Sequence, residues 1–122
     1  MEKLTKQEEE AMQAVWKNGE GHIKAFLALM PAAVPYTTLA STIKNLEKKG
    51  FLSSRMIGNV NVYQPSISRE AYTRHCMKRF AADYFANSYK EMVSFFIKEK
   101  EVSPEELRRM IDMIENDSEP KQ

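Results

Sequence analysis

One short region of this 122-residue chain reads as sheet, and its place in the order of elements constrains the fold more than any other feature. Leu52 to Ile57 and Val60 to Gln64 are β-prone runs on either side of Gly58-Asn59, and Pro65 ends the second run. A turn-forming pair between two such runs predicts a two-stranded hairpin. Three helical stretches come before it. Thr5 and Glu8 form a capping-box pair ahead of Ala11, Met12, Val15 and Trp16 at helical spacing, which predicts a first helix from about Lys6 to Lys17. Asn18-Gly19-Glu20-Gly21 breaks it, and His22 to Met30 puts Ile23, Phe26, Leu27 and Met30 on one stripe before Pro31. Pro35 suits the start of a third helix, which continues through Leu39, Ile43 and Leu46 to Lys49 and stops at Gly50, a good residue for the position after a helix end.

Past the hairpin the pattern returns to helix. Ser68, Ala71, Tyr72, Cys76, Phe80, Tyr84 and Phe85 open a long stretch, with Asn87-Ser88 as a break before Tyr89 to Lys100. Ser103-Pro104-Glu105-Glu106 supplies an N-cap, a proline at the first helical position and the third-position glutamate of a capping box. The helix it starts carries Leu107, Met110, Ile111 and Ile114 on one face, and Asn116 to Gln122 reads as a frayed polar tail. Three helices followed by a hairpin is the order of a winged helix-turn-helix. The expected fold is therefore mainly α with a small β-hairpin wing: a winged helix over residues 1–66 and a helical domain over residues 67–122.

Several function classes drop out on composition. With 43% hydrophobic and 29% charged residues the chain reads as an ordinary globular protein. Cys76 is the single cysteine, so no intrachain disulfide is available and no Cys/His cluster has zinc-finger spacing; a reducing, cytoplasmic location is expected, with no metal and no cofactor. No apolar run approaches the ~18 residues of a membrane span, and the N-terminus has no signal-peptide core. His75 and Cys76 are adjacent, and neighbours on a helix point about 100° apart, so they make a poor catalytic or ligand pair. No Gly-rich phosphate loop or nucleophile elbow is present, and an enzyme is not expected.

Net charge is only +1, so any electrostatic partner must be recognised locally. At helical spacing Leu39, Ile43 and Leu46 share one side of the third helix, while Thr37, Ser41, Lys44 and Lys48 fall opposite, with Thr38 and Asn45 beside them. Small hydroxyl residues approach base edges or phosphates, and lysines neutralise phosphates. Lys44, Lys48, Lys49 and Arg55 against Glu47 make residues 44–55 locally +3. The expected DNA-binding set is Tyr36, Thr37, Thr38, Ser41, Thr42, Lys44, Asn45, Lys48, Lys49, Arg55 and the wing-tip Asn59. A plain solvated helix face with a basic last turn fits the same residues.

The segment after the hairpin is small for its load of aromatics and methionines. A helical tail of that size rarely buries such residues alone, so a second copy is expected to cover them. The expected dimerisation residues are Tyr72, Phe80, Tyr84, Phe85, Phe96, Ile97, Leu107, Met110, Ile111 and Ile114. Pairing two heads in this way matches a two-fold symmetric operator.

From Leu4 to Ile114 the chain resembles the BlaI/MecI family of winged-helix repressors, the penicillinase repressors. The residues carrying the likeness are Leu4-Thr5 with Glu9, Met12 and Val15-Trp16; Thr38-Leu39 through Leu46-Glu47-Lys48-Lys49-Gly50-Phe51; Tyr63; and Val102-Ser103-Pro104-Glu105-Glu106-Leu107. The resemblance implies a cytoplasmic homodimer that represses by binding a double-stranded inverted-repeat operator, often ahead of resistance or stress genes. It also implies release when a membrane-bound sensor metalloprotease, alerted by a β-lactam, leads to a cut in the C-terminal domain, here within Val93-Ser94-Phe95-Phe96-Ile97 at Phe95 and Phe96. Ala40 and Asn45 stand where the family usually carries arginines, and Phe95 stands where an asparagine precedes the cut in other members. A copper-responsive branch uses several C-terminal cysteines, and this chain has none beyond Cys76. Two other readings fit the same elements: a winged-helix regulator that takes a small ligand near Tyr72, Phe80 and Tyr84, and a winged helix that contacts proteins rather than DNA.

Overall fold

The computed structural model describes residues 1–117. The first helix, α1 (Lys6–Asn18), begins at the expected capping box: Thr5 Oγ1 accepts from the Glu8 amide at 3.1 Å and Glu8 Oε1 accepts from the Thr5 amide at 2.8 Å. Helix α2 (Ile23–Leu27) is shorter than the sequence stripe. Its chain goes on as tight turns, with Leu29 and Met30 donating to the carbonyls of Phe26 and Leu27 three residues back. Pro31 lacks an amide and disfavours α geometry at the residue before it, so no helix continues through Met30. Helix α3 (Tyr36–Lys48) starts one residue later than expected, with Pro35 as its N-cap. It ends in a Schellman turn: Gly50 takes φ 83°, its amide donates to Glu47 O at 3.0 Å, and the Phe51 amide donates to Leu46 O at 2.9 Å. Glycine fits that left-handed position without a steric penalty.

Strands β1 (Leu52–Ile57) and β2 (Val60–Pro65) pair antiparallel from Leu52↔Pro65 to Ile57↔Val60. Pro65 thus closes the strand from inside rather than bounding it. A feature without sequence warning ties the wing to the head: Gly21 and Tyr63 exchange backbone hydrogen bonds of 3.0 and 2.7 Å. The core contains Ala11, Met12, Val15, Phe26, Leu39, Ile43, Leu46 and Phe51, all inaccessible to solvent.

Helix α4 (Arg69–Phe85) follows Ser68, whose hydroxyl accepts from the Ala71 amide at 3.0 Å. The chain divides into compact units at Arg74/His75, eight residues beyond the boundary read from sequence. Tyr72 accounts for the shift. Its ring lies 5.6 Å from Trp16 and 5.7 Å from Phe51, and its hydroxyl donates to Glu9 Oε2 at 2.6 Å. Tyr72 is therefore a core residue of the head, a correction to its expected place on a dimer face.

In the second unit, α4 ends at Ala86 and Asn87, both with positive φ, and Ser88 caps α5 (Tyr89–Lys98) by accepting from the Glu91 amide at 3.1 Å. Helix α5 stops two residues before the expected Lys100, in another Schellman turn with Lys100 at φ 62° and the Glu101 amide donating to Phe96 O. Helix α6 (Pro104–Asp117) starts at the second capping box, with Ser103 and Glu106 bonded at 3.1 and 3.2 Å. Those bonds to Ser103 hold the exposed Glu106 carboxyl below its usual pKa. Asn116 and Asp117 belong to α6 rather than to a polar tail, and the rest of that expected tail lies outside the described residues.

Candidate nucleic-acid interface

Helix α3 buries Leu39, Ile43 and Leu46 and turns Tyr36, Thr37, Ser41, Lys44, Asn45 and Lys48 to solvent, with Thr38 half-buried. The amphipathic spacing produces that division, and it puts hydroxyls in the first two turns and lysines in the last two. Thr42 is not on this face. It is buried, and its hydroxyl donates to Thr38 O four residues back at 3.0 Å, so it serves the helix rather than a ligand.

The wing stands beside α3. A shallow depression lined by Tyr36, Ala40 and Lys44 of α3, by Asn59, Val60, Asn61 and Tyr63 of the wing, and by His22 and Ile23 joins the two. It unites three expected residues, Tyr36, Lys44 and Asn59. Asn61 and His22 were missed. Asn61 was findable from strand alternation, since it sits two positions from the buried Tyr63 and shares its face. His22 gave no such signal; its Nδ1 accepts from the Ala25 amide at 3.3 Å as the cap of α2.

Two of the four cations counted along residues 44–55 are already engaged. Lys49 Nζ lies 2.7 Å from Glu8 Oε1 and also donates to Lys3 O at 3.3 Å. Burial alone would push the Glu8 carboxyl up, but the hydrogen bonds from Lys49 and Thr5 and the lysine charge outweigh it, and the net shift is downward. Arg55 pairs with Glu20 and donates to Gln64 Oε1 at 3.3 Å. Lys49 and Arg55 thus both have acidic partners within the head. Lys44 and Lys48 form no ion pair among the described residues. Glu47, between them, accepts from Ser54 Oγ at 2.5 Å, which links α3 to β1. Burial chiefly, with the charges of Glu47 and Tyr36, pushes the Tyr63 phenol up.

The second unit holds the other expected surface. Rings of Phe80, Tyr84, Phe85, Phe95 and Phe96 contact one another in a chain with centroid separations of 4.9 to 6.1 Å. Phe80, Tyr84, Phe96, Met110, Ile111 and Ile114 are exposed, and Phe85, Ile97 and Leu107 are half-buried. Phe95 and Phe96 lie inside α5, where the backbone is helical.

Residues 4–116 match the model of a family described as penicillinase repressor. The chain belongs to the penicillinase repressor family. A penicillinase repressor from Bacillus licheniformis is 23% identical over 108 residues, covering 87% of this chain and 84% of the relative. Among solved structures, TrmBL2, an archaeal chromatin protein, aligns over 98% of this chain at a TM-score of 0.46 and 23% identity; the chain spans 42% of its length. In this member of the penicillinase repressor family, α3 turns Thr37, Ser41, Lys44, Asn45 and Lys48 to solvent.

Proposed function

We propose that the chain is a transcriptional repressor that binds duplex DNA through α3, acting as a homodimer on an inverted-repeat operator. The observation that carries this reading, with the family membership, is the α3 face itself. Thr37, Thr38 and Ser41 stand where a helix entering the major groove meets base edges, Lys44 and Asn45 serve base or phosphate, and Lys48 meets backbone. The exposed apolar residues of the second unit favour a second copy, because water contact with so many aromatic and aliphatic side chains is costly for a small helical unit. Two linked heads bind one operator at high effective concentration, so release needs only the link to be cut. Proteolysis at Phe95-Phe96 after a β-lactam or cell-envelope signal, relayed by a membrane-bound sensor metalloprotease, fits that logic and requires α5 to open locally first. The protein is then a cytoplasmic regulator, not an enzyme; no helix among the described residues is long and apolar enough to cross a membrane.

Selection of sites from random duplex DNA by the purified chain, followed by anisotropy at several salt concentrations and light scattering, tests the reading. An enriched inverted repeat, a steep salt slope and a dimer mass are expected. A monomer at micromolar concentration removes the dimer, and binding no tighter than nonspecific removes the operator.

A further inference from the structure

A separate groove lies on the head, and none of its lining residues belongs to α3 or to the depression beside it. Its volume of about 850 Å³ is within the ~300–1,000 Å³ of small-molecule sites. The apolar walls are Ala14 and Trp16 of α1, Leu29 and Pro31 from the turns after α2, and Pro65 at the end of β2. Trp16 is held in place: its indole Nε1 donates to Ile67 O at 2.9 Å, and its ring packs 5.6 Å from Tyr72. Lys17 and Arg69 stand in the same lining, and neither forms an ion pair among the described residues. Arg69 opens α4, where the helix dipole disfavours a cation, so helix stability does not account for its charge. Glu10 also lines the groove, two turns or about 10 Å back along α1 from Lys17.

We propose that this groove binds a small aromatic monocarboxylate, its ring lying on Trp16 and its carboxylate between Lys17 and Arg69. The inference goes beyond the DNA-binding reading and does not depend on it. A preset indole and two proline rings offer flat apolar surface to a planar ring, at little cost in side-chain ordering. Two cations without acidic partners make that part of the groove positive, and charge-assisted bonds from an ammonium and a guanidinium to a carboxylate are stronger than neutral ones. Glu10 sets a limit. A second negative charge at the far end of the ligand faces its carboxylate, so a dianion or a phosphate ester fits less well than a monoanion. Ser68 lines the groove too, and its hydroxyl caps α4, so an occupant bears on the start of the helix that leads out of the head.

Trp16 is the chain's one tryptophan, so its fluorescence reports this groove and not the aromatic surface of the second unit. Titration of the full chain with para-phenylbenzoate should change that fluorescence saturably, with a Kd of about 0.1–1 mM for a ligand of about fifteen non-hydrogen atoms. The neutral para-phenylbenzamide should bind about tenfold more weakly, and added salt should weaken the acid but not the amide. The double variant Lys17→Gln with Arg69→Gln should cost the acid about tenfold and leave the amide unchanged. It should also keep the wild-type melting temperature, because both side chains are exposed. Lys17→Arg should retain binding of the acid. No saturable change up to about 10 mM, an amide that binds as well as the acid, or a double variant equal to wild type overturns the proposal. Tighter binding of para-phenylbenzylammonium assigns the groove to Glu10 and a cation, tighter binding of octanoate removes the need for a ring, and either result overturns it too.

Discussion

Lys48 and Lys49 are neighbours of identical charge, yet their replacement by alanine should have opposite consequences. Lys48 is exposed on α3 with no ion pair among the described residues, whereas the Lys49 ammonium sits 2.7 Å from a Glu8 carboxylate that is only 6% exposed. Each phosphate contact contributes about 0.9 to the slope of log affinity against log salt, so Lys48→Ala should flatten the slope by about 0.9 per head, or about 1.8 for a two-headed complex. Lys49→Ala should leave the slope unchanged and act on the fold. It strands a buried carboxylate with Thr5 as its remaining partner, a loss of about 1–3 kcal/mol. For a head of this size that lowers Tm by about 4–8 °C per kcal/mol.

The pH profile adds a second readout. Because the folded pKa of Glu8 lies below its usual 4.5, the stabilisation is fully present above that value and lost as pH falls through the folded pKa. Removing Lys49 removes much of the downward pull and should shrink this acid-dependent part. Anisotropy across a salt series and thermal unfolding across pH 2–6 measure both effects. A Lys49→Ala protein with wild-type Tm and a slope flattened by about 0.9 per head would refute the assignment.

Other replacements probe single contacts. Tyr72→Phe should cost the head about 1 kcal/mol by removing the bond to Glu9 and leave self-association unchanged in sedimentation equilibrium; a weakened dimer would return Tyr72 to the interface. Thr42→Val should leave DNA affinity within a factor of about two, since the hydroxyl is turned to Thr38 O, and a loss above tenfold in anisotropy would contradict that. Lys100→Gly should stabilise the full chain by about 1 kcal/mol in thermal unfolding, because φ 62° penalises a Cβ; a lowered Tm would show that the lysine side chain matters more than its backbone.

Most element boundaries were legible because the signals that set them are local. The Thr5/Glu8 and Ser103/Glu106 boxes act across three residues, Gly50 meets a left-handed position created by the turn before it, and the hairpin closes around Gly58-Asn59. Helix α2 escaped in its length because its apolar stripe continues to Met30 while the backbone after Leu27 goes on as tight turns, a change that apolar spacing does not register. The α3 face was legible in outline for a similar reason: periodicity separates Leu39, Ile43 and Leu46 from Thr37, Ser41, Lys44 and Lys48. Thr42 escaped because its place at the edge of the buried face rests on a bond to a carbonyl one turn back.

What sequence by itself determined, then, is where elements start and stop and which side of α3 is polar, since both depend on neighbours within a turn or two. Only tertiary structure decided which polar groups remain free to meet a partner. Glu8 reaches Lys49 across 41 positions, Glu20 reaches Arg55 from another loop, and Glu9 takes Tyr72 from 63 positions away. Charge and periodicity carry no information about such pairings, because an ion pair depends on distance in space, and folding sets that distance through core packing rather than through spacing along the chain.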